Sequence, residues 1–401
     1  MGGIWEILKR TLQPQWAFCF RTLPKMDYFI DIVPAIPFVI LSIEPEMLYV
    51  AVIYGLVVRA LDAVEDEMGL SSEVKIPILK NFHEHIFDRD WHFPSGSSSN
   101  CRVLMDRFHL VRKALLELNK SHQEEIKDVI KRTGAGMAKF VDKEIETMDE
   151  LNEYGQYIVG SMTAAAFTMF PPSRLKDLDS EYNLIANSIG SFLQIVDAIC
   201  DYLEDIDAIP GPRKLWPREI WSKYVNELED LKCEENSVEA VQCLNEMVMS
   251  SLVHVENCFK YLSALEYNPA MFRICAVLLV KEFGTLALSY NNIDVFKVKV
   301  KLRLGLRLKI FKRTRAMSDV YGAFFEFCSL MKSKVDKDDP SAMETLRRLD
   351  AIQNICINSG MLNYRNFYIM RSLEGYNPAL IAGLSVLLTV LAGLSAHHLI
   401  V

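Results

Sequence analysis

The 401-residue sequence carries 44 basic and 52 acidic side chains, a net charge of −8, and half of its residues are hydrophobic. That length and apolar fraction suit a sizeable buried core and exclude disorder as the default state. The acidic balance excludes a general nucleic-acid binder, which needs a basic footprint, but not an anionic small substrate held through metal ions on carboxylates.

In chain order, Met1 to Arg10 has no basic stretch followed by a long apolar run, so no secretory signal is predicted. The nine cysteines are odd in number, form no C-x-x-C and have no zinc spacing with histidine, which points to a reducing compartment. Apolar residues recur every three or four positions in Tyr49–Ala63, Leu184–Ile206, Val238–Leu265 and Ser341–Ile357, predicting helices there. Breakers cluster at Phe93–Ser99, Phe170–Ser173 and Ile209–Arg213, predicting loops, and Lys332–Pro340 reads as a charged turn. Strand alternation is scarce and no internal repeat occurs. The predicted organisation is one all-α domain over 1–359, a linker over 360–376 and a C-terminal membrane anchor over 377–401. Ala379–Ala396 supplies 18 residues without a charge, at the lower limit for a membrane-spanning helix, and Leu399–Val401 can extend it. A buried terminal helix is the competing expectation. Arg365 and Arg371 precede the span and place the main domain on the cytosolic side.

Two segments carry the chemistry. Arg59-Ala-Leu-Asp62-Ala-Val-Glu65-Asp66 and Cys200-Asp201-Tyr-Leu-Glu204-Asp205 each place carboxylates at i, i+3 and i+4, so a helix presents all three on one face. Crowded carboxylates repel unless a cation sits between them, and Mg2+ is commonly held by a few carboxylates plus phosphate oxygens. Two such faces opposed across a helical cavity would clamp a diphosphate through Mg2+, while apolar walls shelter a carbocation. A solvated acidic face is the bland alternative, but the apolar runs Ile53–Val58 and Ile189–Ile199 ahead of the motifs do not suit one.

Beyond these motifs, the sequence resembles squalene synthase from Trp16 to the tail. The resemblance is carried by Arg59–Asp66, Asp90–Phe93, Gly134–Phe140, Asp201–Asp205, Trp216–Trp221, Gln242–Val248, Tyr290–Asn292 and Met317–Phe324. It implies a class I isoprenoid synthase helical bundle that joins two farnesyl diphosphates through presqualene diphosphate and reduces the product with NADPH. Carried over, Asp62, Glu65, Asp66, Asp201, Glu204 and Asp205 are the expected Mg2+ ligands. Arg59, Gln194 and Arg213 are expected to bind substrate, and Tyr154 to act as proton acceptor beside the cation. Lys301 and Arg303 are expected near NADPH. Anchoring in the endoplasmic-reticulum membrane and association with other isoprenoid-pathway enzymes follow from the same resemblance.

The departures lie near the expected chemistry. Asp27-Tyr28-Phe29-Ile30 replaces the family's Ser-Arg-Ser-Phe, and Ile195, Asp197 and Cys200 replace its lysine, asparagine and arginine. Lys281-Glu282 stands where no charge pair is expected. Shedding several phosphate-binding cations while keeping all six carboxylates predicts retained ionisation with altered hydride delivery. The expectation is therefore an irregular triterpene or triterpene alcohol, with NADPH use in doubt. Ordinary squalene synthesis is the first alternative, and an inactive paralogue with a regulatory role is the second.

Overall fold

The computed structural model describes Cys19 and residues 45–67, 69–93, 102–161, 163, 179–208 and 211–362. Among these residues all regular structure is helical, as the sequence predicts. Helix α1 spans Pro45–Glu65, α2 Ser72–His85, α3 Lys120–Phe140 and α4 Met148–Gly155, which runs on into a π turn over Gln156–Gly160. Helix α5 spans Asp179–Cys200 and α6 Tyr202–Ile206. The remaining long helices are α7 Ser237–Ser251, α8 Val255–Leu265, α9 Pro269–Ser289, α10 Leu304–Arg313, α11 Met317–Ser333 and α12 Ala342–Asn358.

Two predicted helices are interrupted. The Val238–Leu265 pattern breaks at a 3-10 turn over Leu252–His254, which offsets α8 from α7. The Leu184–Ile206 pattern breaks at Asp201, whose backbone (φ −101°, ψ 9°) separates α5 from α6. The expected loops at Phe93–Ser99 and Phe170–Ser173, and the linker and anchor beyond Leu362, lie wholly or mostly outside the described residues.

Apolar burial divides into two clusters. One joins α1, α2 and α3 through Ile53, Leu56, Leu61, Leu79, Phe82 and Ile130. The other surrounds α5, where Phe192, Ile195 and Ile199 meet Trp216, Leu244 and Phe283. Ile158 of the π turn packs against both. Helix α5 contains an 18-residue window, Asn183–Cys200, apolar enough to cross a membrane, but 67% of it is buried inside the fold, so it is a core helix.

The π turn and α5 cross at backbone contact distance because the crossing is made of glycines. A β-carbon on Gly190 would stand 2.5 Å from the Gly155 oxygen and 2.6 Å from the Gly160 nitrogen. Both neighbours are backbone atoms, which cannot yield without moving a helix. Gly190→Ala is therefore expected to cost ~1–3 kcal/mol, the usual range for overpacking. It should lower the thermal unfolding midpoint, whereas Gly211→Ala, with nothing within 4 Å, should leave it unchanged. Calorimetry on the two variants reads the difference.

Candidate active site

The first acidic motif closes a helix, and the second spans the junction of α5 and α6. The first closes α1, and Asp66 continues its ladder by donating its N–H to the Asp62 carbonyl at 2.8 Å. The second follows the end of α5, where Asp201 N–H reaches the Asp197 carbonyl at 2.9 Å and Asp205 N–H reaches that of Asp201 at 2.9 Å. Carboxylates at the end of α1 work against the macrodipole, which favours cations there, whereas Asp201 caps the start of α6 and Glu204 and Asp205 lie in its first turn. The arrangement therefore demands compensation.

At the first motif the compensation is arginine and lysine. Arg59 Nη1 lies 3.7 Å from Asp62 Oδ2 and 3.5 Å from Asp66 Oδ2. Buried Lys75 donates from Nζ to the Glu65 carbonyl at 2.8 Å, capping the end of α1. Arg213 Nη2 donates to Glu65 Oε1 at 2.8 Å and to the Tyr154 hydroxyl at 2.6 Å. Tyr154, itself buried, donates that hydroxyl to Glu65 Oε1 at 2.9 Å. Glu65 is thus engaged by a phenol and a guanidinium, while Asp62 and Asp66 keep more open surface.

Arg213 also ties in the second motif. Its backbone N–H donates to the Asp205 carbonyl at 2.8 Å, and its charge is the largest influence favouring ionised Asp205. The Asp66 charge acts on Asp205 in the opposite sense, so the two acidic ends face one another around Arg213. Burial nevertheless pushes the carboxyls of Asp62 and Asp205 up to about 7. Glu65 and Asp201 are also raised, again chiefly by burial.

The other predicted residues fall in and around this centre. Gln194 is buried on α5, with its β-carbon against Gly155 of the tyrosine helix. The Lys301 charge acts on Asp201. Arg303 is exposed at the start of α10. Glu204 is the most open of the second triad, its side chain 63% exposed.

The six carboxylates form an all-oxygen donor set suited to a hard divalent cation. Among the described residues no three acidic, histidine or cysteine side chains stand close enough to cage a metal unaided. Mg2+ does not require such a cage, because it is usually held by one or two carboxylates together with substrate phosphate oxygens. Two groups of carboxylates, partly withdrawn from water and linked through Arg213, suit a hard divalent cation, so the residues fit it.

Residues 38–304 match the Squalene/phytoene synthase family. The chain belongs to that family. It is 50% identical to squalene synthase 2 of Panax ginseng over 380 residues, covering 94% of this chain and 89% of that one. It is 48% identical to squalene synthase of Solanum lycopersicum over 379 residues, covering 94% and 90%. Among solved structures, the complex of TcSQS with the ligand E5700 superposes with a TM-score of 0.79 at 31% identity, covering 86% of this chain and 99% of that one. Like its relatives in the squalene/phytoene synthase family, the chain is an alkyl-transferring enzyme with the all-α isoprenoid synthase fold.

Three features of this family member escape the motif reading. Lys75 and Lys299 serve the acidic ends from distant positions, Lys299 Nζ lying 2.5 Å from Asp201 Oδ1 and 2.8 Å from Glu204 Oε2. Asp197 and Cys200 on α5 face the Lys281–Glu282 pair on α9, itself joined at 2.8 Å. Burial, then Asp201, Glu282 and Asp205, hold the Asp197 carboxyl well above the usual range. The odd charges seen separately in the sequence thus share one place beside the second motif.

The raised carboxyls give a pH dependence of stability. In metal-free protein the folded state keeps Asp62 and Asp205 protonated up to about pH 7, whereas an unfolded aspartate ionises near 3.8. Between those values the native chain binds more protons than the unfolded one, so these groups remove stability as pH rises. The unfolding midpoint in chelator should fall between about pH 5 and about pH 7.5. Asp62→Asn should fall less across the same window, and an equal fall would refute the assignment.

Proposed function

We propose that this chain couples two farnesyl diphosphates head to head into a C30 product, and that squalene is its end product. The observation that carries this reading is the pair of acidic helix ends facing one another around Arg213, with the Tyr154 phenol buried between them. The plant relatives at 48–50% identity are squalene synthases, which favours squalene over the irregular triterpene expected from the sequence.

Asp62, Asp66, Asp201, Glu204 and Asp205 would hold Mg2+, with Glu65 contributing through its second oxygen. Bound there, Mg2+ neutralises the diphosphate and makes it a better leaving group. Arg59 and Arg213 donate to phosphate oxygens, and buried Gln194 lies beside the tyrosine helix. Tyr154 is held as a neutral phenol, its ionisation suppressed by burial and by Glu65. It can still accept a proton from the carbocation, because its own proton can pass along the 2.9 Å bond to Glu65 Oε1. The products of that step are the cyclopropane of presqualene diphosphate, a neutral phenol and a protonated Glu65, whose raised carboxyl favours that form; the diphosphate stays on the intermediate for the later ionisation and reduction by NADPH. Lys301 and Arg303 would meet the phosphates of NADPH.

One observation favours an altered product. Asp197 and Cys200, gathered with Glu282, put a buried carboxyl and a thiol where the resemblance to squalene synthase calls for an amide and a cation beside the nicotinamide cofactor. Hydride transfer is sensitive to small displacements, which can cost about a hundredfold in rate. Product analysis after incubation with farnesyl diphosphate and Mg2+, with and without NADPH, decides between the readings. Squalene formed only with NADPH is the expected result. An oxygenated C30 product at equal rates in both would establish the altered quench, and no diphosphate release would make the chain an inactive paralogue.

Asp62→Asn and Asp201→Asn are each expected to abolish diphosphate release, and Tyr154→Phe to slow product formation by roughly 10²–10⁴. Release at wild-type rates in both aspartate variants would overturn the clamp. The apolar run Ala379–Ala396, together with the resemblance to squalene synthases, supports anchoring on the endoplasmic-reticulum membrane with the catalytic domain in the cytosol. A chain ending at Gly375 should stay soluble with unchanged turnover, while aggregation would show the run to be core.

A further inference from the structure

The strap between α9 and α10 carries a cation that the expected chemistry leaves unused. It begins at the 3-10 turn Ile293–Phe296, where buried Phe296 stacks edge-on against Tyr202 at 5.0 Å and tilts against Trp216 at 5.9 Å. Leu302, 2% exposed, pins the other end. Between these anchors Lys297, Val298 and Lys299 are exposed. Midway along, the Lys299 ammonium lies 2.5 Å from Asp201 and 2.8 Å from Glu204, while its side chain remains 31% accessible. The strap is buried at both ends and exposed where it meets the carboxylates.

An ammonium at that distance occupies the space a divalent ion would need to bind the same two oxygens, since Mg2+ ligands stand at about 2.0–2.1 Å. Lysine is a compact point charge on a flexible stem, able to exchange one oxygen partner for another. A diphosphate entering between the helix ends offers it denser negative charge than two carboxylates do. We propose that Lys299 is a tethered counter-cation that closes the second acidic face at rest. It moves to a phosphate oxygen when diphosphate arrives, and thereby makes metal binding at Asp201 and Glu204 conditional on substrate.

This inference rests on the metal-clamp reading of the site, but it can fail separately, because metal binding is measured without turnover. Mn2+ binding to the full-length chain in detergent can be followed by electron paramagnetic resonance, with and without inorganic pyrophosphate. Wild-type protein should bind Mn2+ at the second face only when pyrophosphate is present. Lys299→Met should bind it there without pyrophosphate, at least tenfold more tightly than wild type. Lys299→Arg should keep most of the wild-type behaviour, and Lys299→Met/Asp201→Asn should lose the gain. Circular dichroism checks that each variant folds. Equal Mn2+ affinity in wild type and Lys299→Met without pyrophosphate would overturn the proposal. If no variant binds Mn2+ with pyrophosphate either, the clamp reading itself falls.

Discussion

The site depends on one guanidinium. Arg213 meets Glu65 and Tyr154 through its side chain, approaches Asp66 at 3.8 Å, and is held to Asp205 through its own backbone. Two unit charges about 4 Å apart interact by roughly 4 kcal/mol at an effective dielectric near 20, so facing carboxylates without a central cation would push the helix ends apart. Arginine suits the position because its planar fork reaches several oxygens at once and stays charged. The neighbouring acids raise its affinity for the proton further, against the opposing effect of burial.

The scaffold brings that centre together from two cores. The first motif belongs to the α1–α3 cluster and the second to the cluster around α5, and the tyrosine helix spans the boundary. Tyr154 reaches across to Glu65 of α1, while Gly155 and Gly160, just beyond it, pack at backbone distance against Gly190 of α5. A π turn widens the helix locally, a feature common at functional sites. Here it lies one residue beyond the phenol's own turn and directly on the glycine crossing. Packing and chemistry therefore share the same few residues, and enlarging one of the glycines would disturb both.

Sequence periodicity made four helical stretches legible because each buries an apolar stripe, and the carboxylate spacing marked the two segments that meet around Arg213. The break at Asp201 was not legible, since apolar periodicity runs through it and only the backbone of α6 reveals it. The compensating cations were hidden for another reason. Lys75, Arg213 and Lys299 serve the motifs from separate parts of the chain, and their contacts exist only once the fold is made. Resemblance supplied Arg213 and Tyr154, but not the bonds that link them to Glu65. Asp197, Cys200, Lys281 and Glu282 stood out singly as departures, and their meeting across α5 and α9 is a property of the structure alone.

The two acidic ends are neutralised in physically different ways. The first is held by two arginines, one of them bonded to buried Glu65, and by a lysine committed to a backbone carbonyl, contacts that are largely withdrawn from water. The second relies on a lysine carried by an exposed strap, and its most open member, Glu204, makes that contact near the protein surface. Charge-assisted hydrogen bonds are strong where they are buried and weak where water competes. Any anion that enters will therefore meet one preorganised face and one that can rearrange. If the enzyme couples two diphosphates as proposed, that asymmetry has a use, because the buried face would keep hold of the substrate while the exposed face exchanges its cation.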